Sequence, residues 1–142
     1  MKKIVFLLTM TALAALFNAQ KVQQKEVPAS VQKSFQKQFP TVKEVKWEKE
    51  NGNYEAGFKS KEAETTVVID PFGKILETEN EIGINALSVP IKSYLAKNYP
   101  HQKIKEAAKI TDAKGVVTYE AEMKGKDLIF DSKGNFLREI KN

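Results

Sequence analysis

The 142-residue sequence predicts an α+β fold of two tandem repeats, each one helix followed by about four antiparallel strands, with the helices packed on one face of the sheet. Three observations carry this. The segment VPASVQKSFQKQFP at 27–40 returns as LSVPIKSYLAKNYP at 87–100, at a constant offset of 60 residues. After each copy the apolar spacing changes from four to two. An Asp-x-x-Gly turn then closes each copy, DPFG at 70–73 and DSKG at 131–134.

The first element is an address. Lys2 and Lys3 precede the apolar residues 4–17, which is the pattern of a secretory signal peptide. Fourteen residues fall short of the ~20 that a spanning helix needs. Ala19 is taken as the last residue of a signal peptide 1–19, with Phe17 an awkward third residue back. Cleavage after Ala14, with Ala12 behind it, fits the small-residue rule better but leaves Leu16 and Phe17 exposed. Removal of Lys2 and Lys3 lowers the net charge from +5 to +3. The expected location is periplasmic or secreted, and nothing after residue 19 resembles a membrane span.

A polar tail, 20–26, leads into repeat 1 (27–79); a connector, 80–86, leads into repeat 2 (87–142). In the helices, Val27, Val31, Phe35 and Phe39 form one stripe and Leu87, Ile91, Leu95 and Tyr99 form its duplicate. Pro28 and Pro90 fit a first turn, whose N–H groups have no helical partner. Pro40 and Pro100 stop the helices, because the residue before proline is pushed away from helical angles. Strands are expected at 42–48, 53–60, 64–69 and 74–79, then at 104–111, 116–123, 126–131 and 135–140. The alternation is clear in Tyr54, Ala56, Phe58 and in Tyr119, Ala121, Met123. Asp70 and Gly73, like Asp131 and Gly134, occupy the first and fourth positions of type I turns.

An aromatic-Pro pair ending a helix, a Tyr-Glu-hydrophobic strand and an Asp-x-x-Gly turn appear twice, in QFPTVKEVKW, YEAGF, VVIDPFGKIL and in NYPHQKIKEA, YEAEM, LIFDSKGNFL. Together they resemble the PepSY-like, beta-lactamase-inhibitor-like family over about residues 27–142. The first copy departs from the family in carrying SKEAE before its third strand, and Ile75 and Phe136 stand where the family often has Trp. The resemblance implies an exported helix-plus-sheet protein and points toward inhibition of an exported hydrolase, a protease or beta-lactamase; fold alone does not establish that activity.

Composition narrows the chemistry. With no Cys and one His, disulfides, thiolate metal sites and cysteine nucleophiles are excluded, and His-based catalysis has one place to sit. That His101 follows the second helix, where repeat 1 has Thr41, and reads as a solvated loop residue. Asp70 and Asp131 are equivalent by duplication and would tempt a metal or acid–base reading, yet capping their own turns explains both. Glu77, Glu79 and Glu81 alternate along a strand, as a solvated face or an acidic strip for a basic partner. Trp47 reads as core or as an interface anchor.

One Arg (Arg138) and interleaved Lys and Glu argue against nucleic-acid binding. No phosphate loop, GxSxG elbow or HExxH motif occurs. The expectation is therefore a non-enzymatic exported binding module, without cofactor or metal, presenting a sheet face or loop edge to an exported protein or envelope component. Its candidate interface residues are Trp47, Glu77 and Glu79. Hydrolase inhibition is the alternative; a carboxylate-based enzyme or metal capture ranks below both.

Overall fold

The structure, a computed structural model, describes residues 19–61 and 63–142. The expected signal peptide lies outside the described residues except for Ala19. Eleven elements follow in chain order: β1 (Gln20–Val22), α1 (Ala29–Gln38), β2 (Lys46–Glu50), β3 (Asn53–Ser60), β4 (Ala63–Ile69), β5 (Ile75–Ile82), α2 (Val89–Asn98), β6 (Glu106–Asp112), β7 (Val117–Met123), β8 (Lys126–Asp131) and β9 (Phe136–Lys141). Short 3-10 turns at Gln24–Glu26 and Ile84–Ala86 precede the two helices.

All nine strands form one antiparallel sheet in the order of the sequence. Pairing of β5 with β6, from Glu77 opposite Asp112 to Ile82 opposite Ala107, makes the two repeats continuous. Two elements differ from the sequence expectation. The polar tail is not a tail, because residues 20–22 pair with β2 as an edge strand. The expected connector begins as strand, since β5 runs on to Ile82. Duplication explains both. Val22 stands opposite Trp47 and Ile82 opposite Ala107, each pair offset by 60, so the end of β5 is the counterpart of β1. Strand β5 thus closes repeat 1 and opens repeat 2.

Both helices pack on the same face of the sheet, each over its own core. Val27, Val31 and Phe35 meet Trp47, Ala56, Phe58, Val67 and Ile69. Leu87, Ile91 and Leu95 meet Ala107, Ala121, Met123, Leu128 and Phe130. Aromatic volume is distributed differently in the two cores. In the first, Phe35 stands edge-on to Trp47 at 5.4 Å and to Phe58 at 5.3 Å. In the second, Leu95 and Ala107 are small, and bulk comes from Tyr94, stacked on Phe136 at 4.9 Å and edge-on to Phe130 at 5.5 Å. Close packing demands a filled volume, not the same residues filling it.

The helices start where the Asp-x-x-Gly turns touch them. Pro71 O accepts a hydrogen bond from Ser30 Oγ at 2.8 Å, which fixes the β4–β5 turn against the first turn of α1. Each helix ends on a bond to its last aliphatic or aromatic core residue, from Phe39 N to Phe35 O and from Tyr99 N to Leu95 O, both 2.8 Å. Among the described residues no helix is long and apolar enough to cross a membrane.

Candidate docking face

Strand alternation sends every second side chain away from the helices. Across the register, Glu48, Glu55, Val68, Glu77 and Asp112 fall in one such row. Glu79, Ile110 and Thr118 fall in the next, and Glu81, Ala108, Glu120, Ile129 and Arg138 in the one after. The helix-free face is therefore rich in carboxylates over an apolar floor, with Lys21 opposite Glu48, Lys46 in the row of Glu79, and Lys59 and Arg138 on the same face. Val68 is 4% exposed, Ile110 5% and Ile129 0%, although no helix covers them.

Val68, Ile110 and Ile129 are hidden from water with no helix over them, so neighbouring side chains on the same face must cover them. The apolar residues thus form the floor of a shallow trough walled by longer polar side chains.

Desolvation in the trough dominates the chemistry of its acids. Burial, reinforced by Glu48, Glu50 and Glu77, pushes Glu55 up to about 7. Glu77 rises to about 7 through burial and Asp112, against the lowering pull of Arg138. Glu79 rises to about 8 through burial and then through Glu77, Glu55, Asp127 and Glu106. Glu120 rises to about 9 through burial and then through Glu79, Asp127, Glu122 and Glu77. After burial, the largest effects on Glu79 and Glu120 come from other carboxylates. Each of these groups is proton-rich for a glutamate because its charged form is disfavoured twice.

The sequence-predicted residues divide between places. Glu77 and Glu79 lie in the trough, with Glu81 one row on. Trp47 does not join them: at 5% exposure it lies under α1 against Phe35, so its ring belongs to the core and not to any surface. Asp70 Oδ1 accepts from Phe72 N and Lys74 N, both at 2.9 Å. Asp131 Oδ1 accepts from Lys133 N at 2.9 Å and Asn135 N at 2.8 Å. Gly73 and Gly134 complete these turns at φ +92° and +87°. The two turns lie four strand spacings apart, roughly 19 Å along the sheet, so their carboxylates share no site. His101 is exposed in the turn after α2. Among the described residues no group of three or more His, Cys, Asp or Glu is arranged to hold a metal ion.

Glu55, Glu120 and Asp127 were not singled out from the sequence, although a signal existed. Tyr54-Glu55-Ala56 and Tyr119-Glu120-Ala121 are duplicates with inward Tyr and Ala, so both glutamates must point outward. Which strands bring them onto the face of Glu79 is set by the sheet's pairing order, which no periodicity encodes.

Two helices on one face of a meandering sheet, with the opposite face open, define a two-repeat helix-on-sheet protein. The profile of the family described as "Putative beta-lactamase-inhibitor-like, PepSY-like" matches residues 16–77 and 73–138, and the chain belongs to this family. A crystal structure of a protein from Bacteroides eggerthii, described as periplasmic, superposes with a TM-score of 0.75 at 16% identity, over 81% of this chain and 88% of that one. A protein from Bacteroides fragilis described as BLIP-like superposes with a TM-score of 0.67 at 21% identity, over 80% of this chain and 86% of that one. No curated protein matches the sequence.

Proposed function

We propose that this protein is a non-catalytic exported module that docks a protein or envelope partner in the trough of its helix-free face. The observation that supports it best is the trough itself: an apolar floor of Val68, Ile110 and Ile129, kept from water with no helix over it, among partly buried carboxylates. Isolated sheets rarely keep such groups half-buried unless the surface serves another purpose, because each costs desolvation energy. Export is supported by the signal-peptide pattern and by the periplasmic description of the B. eggerthii relative. A photo-crosslinking residue at Thr118, in the trough, is expected to trap a partner from envelope extract, while the same residue at exposed Lys97 on α2 traps none. Equal trapping from both positions, or from neither, would overturn this reading.

The second reading is that the docked partner is an exported hydrolase and that docking inhibits it. The BLIP-like description of the B. fragilis relative and the open, helix-free sheet face favour it. Purified protein at micromolar concentration, assayed against exported proteases and beta-lactamases, tests it directly; absence of inhibition across the panel sinks it.

A further inference from the structure

The exposed apolar side chains gather at one end of the sheet. Five large ones are exposed among the described residues, and four of them, Phe72, Val89, Val116 and Leu137, share that end. Phe72 lies in the β4–β5 turn and is 89% exposed; Val116 lies in the β6–β7 turn and is 55% exposed. Leu137 follows the β8–β9 turn, and Val89 opens α2 beside Pro90, which abuts that same turn at Gly134. The register sets the three turns side by side, with Ile69 opposite Ile75, Glu77 opposite Asp112 and Thr118 opposite Asp131. At the other end, the β3–β4 and β7–β8 hairpins carry Lys61, Lys124 and Gly125 and show no exposed large apolar side chain among the described residues. Single exposed apolar residues are ordinary, but a row confined to one end marks an interaction surface.

The three turns share one construction. Asp70, Asp112 and Asp131 each accept two backbone N–H bonds through Oδ1, which holds the residues that follow outward. The first turn presents Phe72 and Lys74; the second presents Lys114 and Val116 at the same two positions, in reverse. The third presents Lys133, with Val89 beside it. Every turn thus offers one lysine with one apolar side chain. At its exposure Phe72 adds almost nothing to the core, and the duplicate position, Lys133, shows that the turn does not need it.

We propose that this edge rests on a phospholipid surface, with Phe72 and Val116 entering the boundary between headgroups and acyl chains and the turn lysines meeting lipid phosphates. The shape of the edge favours lipid over protein. Neighbouring turns stand two strand spacings apart, roughly 10 Å, so the apolar groups are separate points and not a continuous patch. A stable protein interface buries about 800 Å² a side and would have to match each point with its own pocket. Headgroups yield around each point, and an apolar body sunk about 5–10 Å with lysine at phosphate level is a stable interfacial arrangement. Three aspartates match the three lysines along the edge, and Lys49 and Glu50 end β2 at the same level, so there is no cationic excess. Apolar insertion therefore supplies the affinity. The inference is independent of the docking reading above, because a chain standing on these turns leaves its helix-free face open.

The test uses the mature chain, residues 20–142, since the apolar run before it would enter lipid by itself. Vesicles of phosphatidylethanolamine and phosphatidylglycerol in equal parts should carry this chain into the pellet. Phe72→Ser combined with Val116→Ser should lower the bound fraction at least about fivefold, whereas Ile84→Ser, at the exposed apolar site away from the edge, should bind like the parent. High salt should weaken binding by less than about twofold, because charge is not the main source of affinity. Phe72→Trp gives a readout that does not depend on loss: acyl chains brominated near the headgroup should quench the added emission, while buried Trp47 of the parent stays unquenched. A chain that stays in the supernatant, a double-serine variant that pellets like the parent, an unquenched Phe72→Trp, or binding abolished by salt would each overturn the inference. If vesicles leave the chain in solution and Phe72→Ser instead abolishes capture of an envelope protein, the edge is a protein contact and the lipid inference falls.

Discussion

Gly73 lies so close to Ser30 that a Cβ on residue 73 would stand 2.7 Å from the Ser30 carbonyl oxygen. The neighbour is backbone in the first turn of α1, and it cannot rotate aside. Residue 73 also sits at φ +92°, where an L side chain is strained. Gly73→Ala should therefore cost about 3 kcal/mol, with strain and clash acting together. Gly115, at φ +80° with nothing within 4 Å, isolates the strain alone, and Gly115→Ala should cost about 1 kcal/mol. Urea unfolding of the two variants measures the difference; equal losses would mean that the turn–helix contact is not tight.

The duplicated sequence made the helices, the strand order and the Asp-x-x-Gly turns legible, because their signals are local. Apolar residues four apart, prolines at fixed places and alternation by two need no tertiary information. Residues 20–22 were illegible for the same reason. Gln20 and Lys21 carry no strand signal, and only pairing with β2 makes them one. The offset of 60 that relates Val22 to Ile82 was available, but it ran outside the obvious repeat. Trp47 shows the opposite case, where residue type suggests a surface role and packing places the ring inside. The trough was half legible: alternation puts Glu77 and Glu79 on one face, but which acids of β7 and β8 share that face depends on a strand register set by nine strands together.

Because Phe35 touches Phe39, Trp47 and Phe58 at ring-centroid distances between 5.3 and 5.4 Å, it is the keystone of the first core. Phe35→Ala removes a buried ring and leaves a cavity bordered by three others. The expected loss is about 3–5 kcal/mol. Trp47, the sole tryptophan, reports on the site directly, and its emission should shift to longer wavelength as water reaches the cavity. A variant with unchanged emission and a loss below about 1 kcal/mol would show that the neighbouring rings close the gap.

The two halves of the duplication offer an internal comparison at Val22 and Ile82. Both are half-buried against a core, but Val22 is on a three-residue edge strand and Ile82 ends a central strand. A carboxylate at the edge can turn toward water, whereas one on β5, held opposite Ala107 of β6 and packed on the second core, has less freedom. Val22→Asp should cost about 1–2 kcal/mol and Ile82→Asp distinctly more. Denaturant midpoints give the order, and a reversed order would contradict the shared-strand account of β5.

Stability itself should depend on pH through the trough. Glu55, Glu77, Glu79 and Glu120 hold protons in the folded protein up to about 7, 7, 8 and 9, against 4.5 for an ordinary glutamate. The folded state thus binds more protons than the unfolded chain between these limits, so stability falls as pH rises. The contribution is fully present below about pH 4.5 and is lost progressively as pH climbs through 7 to 9. Asp131, held low by Asn135, and Glu139, held low by Tyr99 and Lys126, act in the opposite sense and weaken the fold only at more acidic pH. The thermal midpoint should accordingly peak in mildly acidic solution and decline by several degrees toward alkaline pH. Replacing Glu79 and Glu120 by Gln removes two of the four titrations, and the decline should flatten with alkaline stability raised. A midpoint that stays level or rises from about pH 5 to about pH 9 would contradict this account of the buried glutamates.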